Sequence, residues 1–359
     1  MTSTDVPTTD ESAYAAMAEL SAAPLWRQYG DLMPGQPVAR ARPHVWPYRS
    51  LRPVAMHFSE ALSVAEAERR VLMLVNPALT DPPATVNTLF AGIQIVMPGE
   101  VARTHRHSAS AFRFIIEGEG ALTTVNGERL HMHPGDLLLT PGWHWHDHTH
   151  RGEHPVMWLD GLDYPLVNKL NAGFFEIFDS PSQPAARPDD LSARQFRHGR
   201  LNPTWLTPNA EQPKVSPVGS YPWSETERAL AAITEEGAVG ASSDAAPGSA
   251  AEGILLEYTN PWTGGPVLPT ISCRIGRLPA RFRGLPRRHT ASTIYHVVSG
   301  SGSTVVGDTR LDWAEHDVFC VPGWARYAHE VPRDGDATLF SYTDEPVLRS
   351  LGLYRDEWL

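Results

Sequence analysis

Nine of the chain's 16 histidines fall between His105 and His154. Imidazole ligates transition metals and moves protons near neutral pH, so this window is where chemistry is sought. His105 and His107 are one residue apart, and on a strand residues i and i+2 share a face, so both rings can converge on one ion. A third ligand must come from another strand, and His144, His146, His148 and His150 alternate through the stretch that begins at Trp143. Imidazole suits zinc, copper and nickel as well as iron, so the donors alone do not choose a metal. His131-Met132-His133 is a second such pair, but it borders the Pro134-Gly135 turn and is read as surface or packing. Arg113 lies on a strand whose neighbours Phe112 and Phe114 face the other way. An arginine facing into an apolar barrel is costly unless an anion pairs with it, whether a bound acid or a structural carboxylate.

The elements that position these residues are short. From about Asn87 the sequence reads as strands and tight turns, with Gly92–Met97, Phe112–Ile116, Ala121–Val125, Glu128–Met132 and Leu137–Leu139 as strands. Asn126-Gly127 between two of them is a strong hairpin signal. Many short strands at this spacing suggest a closed antiparallel barrel or jelly roll. Residues 1–85 read as an N-terminal arm: Ser12 caps a short Ala-rich helix, an irregular Pro/Arg/Trp-rich passage follows, and a second helix runs from Ser63 to Leu74. Residues 166–252 read as an irregular connection whose end, Glu235–Gly253, has the composition of a flexible linker. Strand signals then resume over 253–346, before a tail at 347–359. Ile294–Val298 before Gly300 and Gly302 echoes the strand before Gly118 and Gly120, and Pro322-Gly323-Trp324 echoes Pro141-Gly142-Trp143, so the chain contains an internal repeat.

Composition narrows the function. Thirty basic against 41 acidic residues give a net charge of −11, which argues against nucleic acid and anionic membranes as partners. No apolar run is long enough to span a bilayer, and the N-terminus shows no signal peptide, so a cytoplasmic location is expected. Two cysteines, Cys273 and Cys320, make a disulfide framework improbable and a Cys-rich zinc site impossible.

Gly99 with His105-Arg106-His107, followed by Gly135, Pro141 and His146, resembles the two motifs of the cupin superfamily. More narrowly, HRHSASAFRFIIEGEG, TPGWHWHDH and WLDGLDYPLV resemble the gentisate 1,2-dioxygenase group, which includes salicylate and 1-hydroxy-2-naphthoate dioxygenases. The resemblance implies an all-β bicupin, two jelly-roll barrels behind a helical arm, with residues 86–165 forming the metal-binding barrel. It implies one Fe(II) held by His105, His107 and His146. It also implies Arg113 beside a substrate carboxylate or bound oxygen anion, His148 as the proton carrier, and Asp160 orienting a site histidine by hydrogen bonding. Gln94 and Arg69 are candidate substrate-binding residues, Arg69 reaching in from the helix before the barrel. In the second barrel Arg287, His289 and Tyr327 stand at the ligand positions, so that barrel is expected to be metal-free. The implied reaction opens gentisate with O2 between its carboxyl- and hydroxyl-bearing carbons to maleylpyruvate. Salicylate, a substituted salicylate and 1-hydroxy-2-naphthoate are the alternative substrates; a non-catalytic cupin binding a small acid and a zinc or manganese isomerase are the other readings. The resemblance favours a homotetramer.

Overall fold

Strands that carry continuous apolar runs here are covered on both faces, and the packing follows from that. The computed structural model describes residues 11–67, 69–198, 201–206, 214–239 and 247–359. They fall into two units, 1–38 and 39–359. The first unit holds the helices Glu11–Glu19 and Leu25–Leu32, with the Trp26 indole donating to the Tyr14 hydroxyl. Ser12 lies within the first of these helices.

In the second unit, among the described residues, four antiparallel sheets form two barrels. One barrel combines a six-stranded sheet, ordered Ser220–Tyr221, Leu137–Thr140, Ala111–Glu117, Val156–Leu162, Phe90–Val96 and Val71–Met73, with a five-stranded sheet, ordered Phe175–Ile177, Val101–His107, His146–His150, Ala121–Val125 and Glu128–His131. The other repeats the plan, with Thr293–Ser299, Ala337–Thr343 and Ser272–Leu278 central to its larger sheet and Arg287–His289 and Tyr327–Glu330 in its smaller one. Alternation along the strands divides their side chains. Val96, Ile115, Leu138 and Trp158 fill the first barrel, whereas Ile93, Phe112, Phe114 and Leu159 point outward into a core shared with Ile275, Phe340 and Tyr342 of the other barrel. The Phe114 and Phe340 rings stack at 4.2 Å and Phe112 meets Tyr342 edge-on at 4.7 Å.

The repeat is an all-β bicupin, and its two halves exchange parts. Strand His44–Trp46 pairs with Val318–Val321 of the second barrel, whereas Ser220–Tyr221 pairs with Leu137–Thr140 of the first. Each of these edge strands leads into a helix, Tyr48–Ala61 and Trp223–Val239. Each helix begins on a carboxylate of one barrel and packs on the other: Tyr48 N–H donates to Asp317 at 2.8 Å and its helix lies against Phe90–Val96, while Trp223 N–H donates to Asp136 at 2.7 Å and its helix lies against Ile254–Glu257.

Four local expectations need correction. The passage read as irregular contains the strand His44–Trp46 and the helix Tyr48–Ala61, which includes Pro53. The helix expected over 63–74 stops after Val64–Ala67, because Val71–Met73 is drawn into the sheet beside Gly92–Gln94. The connection is not irregular throughout, since Tyr164–Lys169, Leu191–Phe196 and Trp223–Val239 are helical. Of the expected linker, 235–239 continues the last of these helices and Pro247–Glu252 forms another, while 240–246 lies outside the described residues. The tail is not separate either, because Asp356–Trp358 pairs with Arg287–His289 as Phe175–Ile177 pairs with His105–His107.

Candidate metal centre

The strand Val101–His107 presents His105 and His107 on one face, and its neighbour brings His146 directly opposite His105. The ring centroids of His105 and His146 lie 4.0 Å apart, with His107 4.9 Å from His146. One ligand nitrogen from each lies within 4.8 Å of the other two, and no other such group of three occurs among the described residues.

The backbone dictates which nitrogen faces inward. His107 Nδ1 lies 2.7 Å from the Ala109 carbonyl and His146 Nδ1 lies 2.9 Å from the His144 carbonyl. His105 Nδ1 lies 3.2 Å from the Arg103 carbonyl. A carbonyl only accepts, so Nδ1 of His107 and of His146 carries the proton and Nε2 is left with its lone pair, the arrangement found around ligated histidines, whereas Nδ1 of His105 also meets the Arg69 guanidinium, which only donates. Nε2 of His146 is buried without a hydrogen-bond partner. Burial, reinforced by Arg113 at all three and by Arg69 at His105 and His107, holds the imidazoles below their usual range, so they are neutral at pH 7. Three converging neutral donors, one of them otherwise orphaned, fit a divalent transition metal.

Arg113 is buried on the inner face of Ala111–Glu117, donating to Thr140 Oγ1 and placing Nε 3.5 Å from Asp160 Oδ1. Asp160 accepts the Trp158 indole N–H at 2.9 Å. Its observed partners are therefore Arg113 and Trp158, not a histidine as the sequence led us to expect. The strand register explains this: Asp160 sits directly across from Arg113. Burial raises the Asp160 carboxyl to about 6 even with Arg113 opposing the shift. His148 is buried, with Nδ1 2.9 Å from Thr123 Oγ1 and Nε2 unpartnered. Gln94 is equally buried on the inner face, its amide nitrogen without a partner.

Arg69 follows the short helix, and its guanidinium contacts both His105 Nδ1 and the Arg103 carbonyl. Phe175, from the edge strand that pairs with His105–His107, lies 5.4 Å from the His105 ring. The remaining histidines of the window turn elsewhere. His131 and His133 pair with Asp190 and Asp136, and His150 bonds the His154 carbonyl. His144 lines a separate cavity of about 380 Å³ with Arg187, Phe196 and Trp262. Sequence reasoning missed Thr123, which holds the neutral His148, and Thr140 and Trp158, which hold the Arg113–Asp160 pair; aligning the two halves strand by strand would have exposed the last two, because their counterparts are Val321 and Leu339.

In the second barrel, Arg287 and Tyr327 face each other where His105 and His146 do in the first. Glu252 reaches between them, accepting from Arg287 at 2.8 Å and from the Tyr327 hydroxyl at 2.6 Å.

No helix among the described residues is long and apolar enough to cross a membrane. Residues 92–161 match the cupin domain model. The chain is 40% identical to a 5-aminosalicylate 1,2-dioxygenase of a Comamonas species over 97% of this chain and 90% of that one. It is 35% identical to gentisate 1,2 dioxygenase 1 of Aquipseudomonas alcaligenes, over 96% and 94% of the two chains. The crystal structure of salicylate 1,2-dioxygenase from Pseudoaminobacter salicylatoxidans with gentisate superposes with a TM-score of 0.89 at 36% identity, covering 100% of this chain and 96% of that one. With identities of this size over nearly the whole length, and with the histidine triad seated in the first of two cupin barrels, the chain belongs to the gentisate 1,2-dioxygenase family of ring-cleaving bicupin dioxygenases.

Proposed function

We propose that this chain is an Fe(II)-dependent dioxygenase that opens gentisate between its carboxyl- and hydroxyl-bearing carbons to maleylpyruvate, incorporating both atoms of O2. The observation that carries the reading is the convergence of three neutral imidazoles beside a buried Arg113–Asp160 pair. Fe(II) held by His105, His107 and His146 would supply a Lewis-acidic, redox-active centre at which a hydroxy acid and O2 meet. The side chains around it do the rest. Arg113 offsets the charge of the substrate carboxylate inside a barrel where an unpaired anion is costly. Asp160 keeps that guanidinium from being a lone buried cation in the resting protein. His148, neutral, with a free Nε2 in this arrangement, takes the proton of the substrate hydroxyl. Gln94 donates its unpartnered amide to a substrate oxygen, and Arg69 adds positive charge beside His105. The second barrel holds no ion, its ligand positions being closed by the Arg287–Glu252 pair.

5-Aminosalicylate is the second substrate reading, favoured by the relative at 40% identity, and a homotetramer is the assembly that the family resemblance favours. The test is anaerobic reconstitution with Fe(II), then oxygen uptake and product analysis over a panel of hydroxybenzoates. Gentisate is expected to give one product per O2 consumed; uptake with no member of the panel sinks the dioxygenase reading. His146→Ala is expected to lose bound iron and turnover together, and full turnover in that variant would overturn the ligand assignment.

A further inference from the structure

The second barrel serves as an internal control for the first, with the same strands in the same register but different side chains in the lumen. The Thr123–His148 contact recurs there as Thr304–His329 at 2.8 Å, and His107 recurs as His289. Features common to both barrels belong to the scaffold. Around Arg113, by contrast, nothing recurs. The register that sets Arg113 against Asp160 sets Tyr295 against Ser341, and Trp158 and Thr140 become Leu339 and Val321. In the first barrel these four side chains form one chain of contacts. The Trp158 indole donates to Asp160 Oδ1, that oxygen faces Arg113 Nε, and Arg113 Nη1 donates to Thr140 Oγ1. Thr140 and Trp158 are both fully buried, so neither hydroxyl nor indole N–H serves solvent. At these positions two neutral hydrogen-bonding groups therefore appear only in the barrel whose central strand carries an arginine there, one at each end of the ion pair. An arginine that must still find its rotamer spends binding energy on ordering, and one already fixed does not.

We propose that Thr140, with Trp158 behind Asp160, is a positioning residue that fixes the Arg113 guanidinium to receive the carboxylate of an aromatic hydroxy acid. This rests on the reading of Arg113 given above. It is a claim about ligand affinity, because the hydroxyl acts through the arginine and not on the reacting carbons.

The test is Thr140→Val, a near-isosteric change to the residue the second barrel already uses, with Thr140→Ser as the conservative control. Salicylate is titrated anaerobically into the metal-loaded proteins, and hydroquinone, which lacks a carboxylate, is titrated alongside. Thr140→Val is expected to raise Kd for salicylate about tenfold, the scale of one hydrogen bond to a charged group, and KM for the turned-over acid in parallel, with kcat within about twofold. Thr140→Ser is expected to restore both, and hydroquinone binding should not respond. If Thr140→Val does not fold, Trp158→Phe removes the indole N–H together with part of the buried ring and is expected to weaken salicylate in the same direction. Unchanged salicylate affinity in either folded variant overturns the proposal, as does an equal loss for hydroquinone. Because the titration is anaerobic, a chain that binds salicylate but never consumes oxygen would refute the dioxygenase reading while leaving the role of Thr140 decided.

Discussion

Glu252 does in the second barrel what an anionic ligand is asked to do in the first: it brings a carboxylate to a buried cation. Burial pushes its carboxyl up, but His329, Arg287 and the Tyr327 hydroxyl together carry it below the usual range, so it is ionised at pH 7. Removing that charge leaves Arg287 with Asp356 as its remaining carboxylate partner. Breaking a buried pair by neutralising one member costs about 3 kcal/mol. Glu252→Gln is therefore expected to lower the unfolding free energy by about that amount, read as a lower urea midpoint, while leaving metal content per chain unchanged. An unaltered midpoint would show that the pair contributes nothing. At this scale the sequence made much of the site legible. The His105, His107 and His146 spacing and the inward side of Arg113 all follow from strand alternation. Glu252 was hidden because it sits at the end of the segment whose small residues read as linker, and its partner Arg287 lies 35 positions further on. The Asp160 partner was hidden because cross-strand register, which pairs it with Arg113, is not written in either strand alone.

The elements that lock the barrels together start at two matching carboxylates. Asp163 precedes the helix Tyr164–Lys169 and accepts from Ser110 N–H and from the Thr270 hydroxyl; Asp344 precedes Glu345–Ser350 and accepts from Ser292 N–H and the Thr88 hydroxyl. Each therefore ties its own barrel to a loop leading into the other. Burial raises both carboxyls to about 6 despite these donors. Unfolded aspartate titrates near 3.9, so between about 4 and 6 the folded chain holds more protons than the unfolded one, and this contribution to stability falls as pH rises through that window. Replacing both by Asn keeps an acceptor for each Ser N–H and removes the titration. The double variant is expected to gain stability relative to the parent between pH 4.5 and 7.5, by a few kcal/mol, in urea titrations at the two pH values. A constant difference across that range would contradict it. The helices Tyr48–Ala61 and Trp223–Val239 escaped sequence reading for a related reason. Their first turns are satisfied by Asp317 and Asp136 of a barrel far away in sequence, not by a local capping residue. The β-rich segments were legible because turn residues and alternation are local signals, as at Asn126-Gly127, where both residues have positive φ.

At the scale of the whole molecule, the exchange of edge strands and the shared core decide how the chain unfolds. The repeat was visible in sequence as two barrels in tandem, and tandem barrels would be free to melt separately. Strand His44–Trp46 completes the second barrel from before the first begins, and Ser220–Tyr221 closes the first from just before the second. The facing sheets bury Phe112, Phe114, Phe340 and Tyr342 against one another, so neither barrel keeps its outer apolar face covered once the other has gone. Phe340, fully buried from the second barrel and stacked on Phe114 beside Arg113, tests this coupling. Phe340→Ala removes a large side chain from a core that cannot collapse around the gap, at a cost of about 3–5 kcal/mol. The expected calorimetric result is one transition, shifted to lower temperature, with release of the first barrel's metal tracking it although the substitution lies in the other barrel. Two resolved transitions, with metal retained through the first, would mean that the barrels are independent and that the exchanged strands do not couple them.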